Sequence, residues 1–174
     1  MILSIDPGMN RLGWALWSPK GKLRDYGLVS GRDLGATSWE GTTLKVVGRV
    51  ARLISSRGVS TIVCEMPEEF GSRKGKAALA SGSVRKLAYL VGAIGGRAQG
   101  FGVEFFPVEV MIWKGNVPKE ITRKRVLRDW GDRFPGLRSA VLDITDAVGV
   151  GRWYFSPRGR KRIEERRWDG DSRD

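Results

Sequence analysis

The chain opens on an apolar run, Ile2, Leu3 and Ile5, which ends at Asp6 and is broken by the turn-forming pair Pro7-Gly8; this pattern predicts a short strand over 2–6. Two more apolar-rich runs, 12–17 and 23–29, flank Ser18-Pro19-Lys20-Gly21-Lys22, which reads as a hairpin turn. Three antiparallel strands are therefore expected first. Leu44, Val47, Val50, Ala51 and Ile54 then recur at helical spacing over 42–54, with Gly58 as the stop. Val59, Thr61, Ile62 and Val63 form a β-branched run suited to a buried strand ending at Glu65. Residues 66–76 are polar, and 77–98 are rich in Ala, Leu and Val at helical spacing, though glycines interrupt them. A short strand is expected over 102–108, followed by helical sequence to 154 with breaks near 115–118 and 134–136. The order βββαβαβα predicts an α/β fold: a mixed five-stranded sheet, its first three strands antiparallel and its crossover strands parallel, flanked by helices.

A chain of 174 residues, 41% hydrophobic, can bury one core and is short for two. The formal charge of +12 and a pI near 10.4 favour a polyanionic partner, with nucleic acid foremost. A ribosomal or packaging protein would share that balance. Residues 156–174 carry seven Lys or Arg against five Asp or Glu, so most of the excess belongs to the rest of the chain. This segment has few apolar residues and is expected to be a flexible tail or to fold on a partner.

With 0 His and 1 Cys, a Cys/His zinc site and a Ser-His-Asp or Cys-His centre are both excluded, so carboxylates must carry any catalysis. The single Cys64 cannot form an intramolecular disulfide, which fits a reducing compartment, and it reads as a core residue. No apolar run reaches the ~18 residues of a membrane span, and no signal peptide is recognised; a cytoplasmic protein is expected.

Asp6 and Glu65 end the two strands that a crossover helix would bring side by side, which sets both carboxylates at one end of the sheet. Asp143 and Asp146, three residues apart in an otherwise apolar helical segment, share one face. Singly, each acid also suits a turn, a loop or a helix start. Together, hard oxygen ligands without nitrogen or sulfur select Mg²⁺, or Mn²⁺ in its place, and two such ions could activate water and stabilise the leaving oxygen of a phosphodiester. Most aromatics, Trp14, Trp17, Phe105 and Trp153 among them, are expected in the core, and Trp113 and Trp130 in packing or a dimer interface.

The segment Ile2-Leu-Ser-Ile-Asp-Pro-Gly-Met-Asn-Arg-Leu-Gly-Trp-Ala15 resembles the opening motif of RuvC-type Holliday junction resolvases of the ribonuclease-H-like superfamily. Val63-Cys64-Glu65 resembles their second acidic strand and Asp143-Ile-Thr-Asp-Ala147 their closing acid pair. The resemblance runs through 1–155 and implies a nuclease domain there, a homodimer, and Mg²⁺-dependent nicking of a four-way junction with Asp6, Glu65, Asp143 and Asp146 as metal ligands. Short length and a divergent middle suggest a phage-like member. Lys114 resembles a family lysine near the scissile phosphate, and either Arg123 or Lys124 a second. Phe70 stands where the family places a stacking aromatic, although Pro67 and Glu68 intervene and Glu68-Glu69 would repel phosphate. Residues 71–97 hold six basic side chains and no acid; Arg73, Lys74, Lys76, Arg85 and Lys86, with Lys119, are further candidates for DNA contact. A solvated helix face is the plain alternative for the basic runs. Other readings are a ribonuclease-H-like nuclease of the YqgF group acting on RNA or unbranched DNA, and a non-catalytic basic junction-binding protein.

Overall fold

Side chains alternate across a strand, so residues 2, 4 and 6 of the first strand face one side of its sheet and residues 3 and 5 the other. Both sides are covered. A computed structural model of the chain describes residues 1–67 and 80–171. Strand β1 (Ile2–Asp6) is buried throughout and lies at the centre of a five-stranded sheet. Its neighbours are β2 (Arg11–Trp17), antiparallel, and β4 (Thr61–Met66), parallel; β3 (Leu23–Ser30) extends the antiparallel side and β5 (Glu104–Glu109) the parallel side, giving the order β3-β2-β1-β4-β5. The expected mixed sheet is thus present.

Helices α1 (Trp39–Arg57) and α2 (Ser83–Gln99) cover the face of Leu3, Ile5, Ile62 and Cys64 with Val46, Val50, Ile54, Leu90 and Ile94. Ser38 begins α1 by accepting from the Gly41 N–H at 3.1 Å, and Gly58 ends it in the left-handed region at φ 59°. Leu44, one of the apolar residues at helical spacing, is 73% exposed, and Val46 is buried. The apolar residues of this helix span a wide arc, and the stripe that meets the sheet runs through Thr43, Val46, Val50 and Ile54.

The opposite face, carrying Ile2, Ser4, Ala15, Trp17, Val63 and Val108, receives the short α3 (Val110–Trp113), α4 (Lys119–Trp130) and α5 (Leu142–Tyr154). Helix α5 lies against β1 and β2 at very close range. The Ser4 hydroxyl donates to the Ala147 carbonyl at 2.8 Å and accepts from the Trp17 indole N–H at 2.8 Å. Gly13 and Gly151 allow this approach: a Cβ on Gly13 would stand 2.0 Å from the Asp143 carbonyl oxygen, and one on Gly151 2.1 Å from Trp17 Nε1.

The charged segment expected as a tail is instead helical as α6 (Pro157–Asp171), with Ile163 buried in the second core. Ser156 accepts from the Gly159 N–H at 3.1 Å, and Pro157 suits the first helical position, so the helix start was present in the sequence but outweighed by the charge.

Adding a methyl at Gly151 should lower stability by about 1–3 kcal/mol through overpacking. Gly48→Ala, on an open stretch of α1 with nothing within 4 Å of the added atom, should raise it by up to about 1 kcal/mol. Thermal melts of the two variants should move in opposite directions; a Gly151→Ala melt equal to wild type would remove the close helix–sheet contact from the account.

Candidate active site

The parity that faces Ser4 toward α5 also turns Asp6 that way, and Val63 and Glu65 share the corresponding face of β4. Ile5 pairs with Cys64, so one step further along the parallel register sets Glu65 beside Asp6. Helix α5, held down at Ala147 and Gly151, presents Asp143 and Asp146 from its first turns to the same end of β1. The four acids named from the sequence come together here.

Three basic groups and one indole stand among them. Lys119, at the first position of α4, places its ammonium 3.0 Å from Asp146 Oδ2, 3.8 Å from Asp6 Oδ2 and 3.9 Å from Asp143 Oδ1. Lys114, just after α3 and only 8% exposed, donates to Asp146 Oδ2 at 3.2 Å. Arg11 pairs with Asp143 at 3.1 Å, and the Trp113 indole donates to Glu65 Oε2 at 2.9 Å. Asp146 is 1% exposed, and its Oδ1 has no hydrogen-bond partner among the described residues.

Repulsion and burial outweigh these partners at two positions. Burial, then the charge of Glu65, pushes the Asp6 carboxyl well above the usual range despite Lys119. Burial, then Asp146, raises Glu65 against the opposing hydrogen bond from Trp113. For Lys119, burial alone would favour the neutral amine, but Asp6 and Asp146 overcome it and hold the ammonium above its ordinary pKa. The Cys64 thiol is pushed up by burial, in keeping with a packing role.

A divalent cation suits this donor set. All the donors are hard carboxylate oxygens, two acids resist ionising without further positive charge, one buried oxygen lacks a donor, and an ammonium already sits within 4 Å of three of the acids. As placed, no group of three or more acidic or cysteine side chains among the described residues is close enough to hold an ion. The Lys119 ammonium, within 4 Å of three of the acids, would have to give way to an ion bound among them.

No protein-family profile matches the chain, and no curated protein sequence matches it. Solved structures do. RuvC of Thermus thermophilus in complex with a Holliday junction substrate superposes with a TM-score of 0.60 at 19% identity, covering 88% of this chain and 93% of that one. A further Thermus thermophilus RuvC structure gives 0.58 at 20% identity, with 88% and 93% covered. Fowlpox virus resolvase in complex with substrate Holliday junction DNA gives 0.57 at 14% identity, with 88% and 95% covered. The chain has the ribonuclease-H-like fold of these resolvases.

Within this RuvC-like fold, several residues make contacts that the sequence did not announce. Lys119, expected at the DNA, bridges three of the acids. Trp113, read as packing or interface, fixes Glu65, and Arg11, a motif residue given no role of its own, fixes Asp143. Arg123 donates to the carbonyls of Ala140, at 2.8 Å, and of Arg138, fastening α4 to the turn before α5, so its guanidinium is already engaged. Lys124 and Arg85 are exposed, and Lys86 lines a groove running from Asp143. Phe70, Arg73, Lys74 and Lys76, with Glu68 and Glu69, lie outside the described residues. Arg11 and Trp113 carried no local signal, since each acts on an acid remote in sequence.

Raised carboxyl pKa values mean that folding favours the protonated forms of Asp6 and Glu65. Their contribution to stability is full below the ordinary carboxylate range and is lost as pH rises through the elevated values. Asp6→Asn should therefore raise the melting temperature of the metal-free protein near neutral pH, by about 2–4 °C for each kcal/mol relieved. It should have little effect near pH 4. Melting curves at the two pH values check this; a lower melting temperature for the variant at neutral pH would show that the Lys119 pair dominates.

Proposed function

We propose that this protein is a structure-selective endonuclease that resolves four-way and related branched DNA by metal-dependent phosphodiester hydrolysis. The observation that carries this reading is the convergence of Asp6, Glu65, Asp143 and Asp146, drawn from three separate parts of the chain, at one end of a RuvC-like sheet in a protein of net charge +12. The RuvC and fowlpox resolvase structures with Holliday junction DNA support the substrate class.

The four acids would hold Mg²⁺, or Mn²⁺ in its place, as a pair of ions. Ions bound there would supply an activated water and charge stabilisation at the phosphate. The chain's own groups have separate tasks. Trp113 and Arg11 hold Glu65 and Asp143 in orientation. Lys119, 46% exposed, lies where its ammonium can turn from the acids to a phosphate oxygen, and Lys114, its side chain 8% exposed, donates to Asp146 Oδ2 and holds it in place. Because two opposed strands of a junction must be cut, the working unit is a homodimer. The expected site of action is the cytoplasm. Among the described residues no helix is long and apolar enough to cross a membrane.

One observation favours a different reading, a non-catalytic junction-binding protein: Lys119 and Lys114 already neutralise much of the acidic centre. Labelled four-way junction, duplex, single strand and RNA–DNA hybrid, incubated with the protein with and without Mg²⁺, separate the possibilities. Metal-dependent cutting of the junction is expected. Asp146→Asn should reduce it by at least about 100-fold while junction affinity stays within about threefold, since the acids act on metal and the basic residues on phosphate. No cutting of any substrate would leave the binder, and cutting confined to the RNA hybrid would leave another ribonuclease-H-like nuclease.

A further inference from the structure

Two lysines meet the same oxygen of Asp146, and they differ in freedom. Lys114 is 8% exposed, stands 3.2 Å from Asp146 Oδ2 and lies 5.2 Å from the centre of the Trp113 ring. Burial and the ring hold it there. Lys119 stands 3.0 Å from that oxygen and reaches Asp6 and Asp143 as well, with 46% of its side chain exposed. Its backbone is fixed, because Arg123 ties α4 to the carbonyls of Ala140 and Arg138, and Thr122 and Val126 of the same helix are buried. Only the long, flexible side chain can travel.

A hard divalent cation shared by Asp6, Asp143 and Asp146 would draw their oxygens to about 2.0–2.6 Å. The Lys119 ammonium lies within 4 Å of one oxygen on each of these carboxylates, so ammonium and ion compete for the same oxygens and repel one another there. The acids differ in what they keep once Lys119 withdraws. Asp146 keeps Lys114, Asp143 keeps Arg11 and Glu65 keeps the Trp113 indole. Asp6 has no second ion pair among the described residues, so its charge must be met by whatever replaces the ammonium. The ammonium needs a new anion in turn, and a DNA phosphate is one.

We infer that Lys119 couples ion loading to DNA binding: its ammonium holds down the ion affinity of Asp6, Asp143 and Asp146 until a phosphate draws it away. The inference rests on the metal-dependent nuclease reading and adds how that site is regulated. Movement of one side chain, with α4 standing still, opens the acids where there is a phosphate to cut. By linkage the effect runs both ways, so a bound ion tightens DNA binding by the same factor by which DNA tightens the ion.

The deciding quantity is the Mn²⁺ affinity of the full chain without DNA, measured by equilibrium dialysis at physiological salt, which requires no cutting. Lys119→Gln should raise it by about 5- to 150-fold, the usual range of a coupling between sites. A lysine that served only as a phosphate contact would leave it unchanged. Arg128→Gln removes the same charge about 13 Å further along α4, beyond the ~8 Å over which exposed charges act at that salt. It should change the affinity by less than about twofold. Lys119→Met supplies a second neutral side chain, and circular dichroism checks each fold. In the reciprocal arm, four-way junction binding is measured with and without Ca²⁺, and the DNA is verified as intact on a denaturing gel. Ca²⁺ should tighten wild-type binding by at least about fivefold and Lys119→Gln binding by a smaller factor. Mn²⁺ affinity within about twofold of wild type in both neutral variants, an equal rise in Arg128→Gln, or a Ca²⁺ effect equal in wild type and Lys119→Gln would overturn the coupling and leave the nuclease reading intact. If neither neutral variant folds, the wild-type Ca²⁺ factor decides, and a value under about twofold overturns it. Mn²⁺ uptake by none of the proteins, with or without junction DNA, would remove the metal centre and the nuclease reading with it.

Discussion

The close seating of helix α5 on strands β1 and β2 is the contact on which the rest depends. It requires that Gly13 and Gly151 carry no side chain, and it is held by the Ser4 hydroxyl, which joins the Ala147 carbonyl to the Trp17 indole. A helix at ordinary distance from a sheet would leave its acids well away from the strand ends. Here Asp143 and Asp146 are drawn into the space above Asp6 and Glu65, where like charges repel and water is scarce.

That crowding sets the chemistry of the site. The partners that stabilise it are Lys119, Lys114, Arg11 and the Trp113 indole, and they are insufficient: Asp6 and Glu65 resist ionisation and one Asp146 oxygen has no donor. A buried cluster of this kind is a poor way to stabilise a fold, since paired buried charges barely offset their own desolvation. It is well suited to receiving a cation. Lys119 sits against three of the acids with a single charge and nearly half its side chain in solvent, an arrangement that would let it give way to a doubly charged ion.

Much of this was legible in the residues because the periodicities are simple. Alternation along β1 and β4, with a crossover between them, was enough to set Asp6 and Glu65 together, and the three-residue spacing of Asp143 and Asp146 put both on one helical face. Side-chain pairings across long stretches of sequence were not legible. Nothing near Arg11 announces Asp143, nothing near Trp113 announces Glu65, and the basic run that includes Arg123 gives no hint that this side chain ties down two carbonyls. Which arc of α1 meets the sheet was not legible either, because its apolar residues, exposed Leu44 among them, cover more of the helix than the sheet buries. The segment after Phe155 was misread because its composition is that of a solvated tail, while Ser156 and Ile163 supply a helix start and an anchor that composition does not register.

Manganese binding, followed by the loss of free-ion electron paramagnetic resonance signal as protein is added near neutral pH, tests the central claim most directly. The acids, crowded by α5 and incompletely neutralised, should take up Mn²⁺ in the wild-type protein, and Asp146→Asn should weaken uptake by at least about tenfold with the fold unchanged by circular dichroism. Uptake that is absent in the wild type, or equal in the variant, would mean that the four carboxylates form a salt-bridged cluster and not a metal centre.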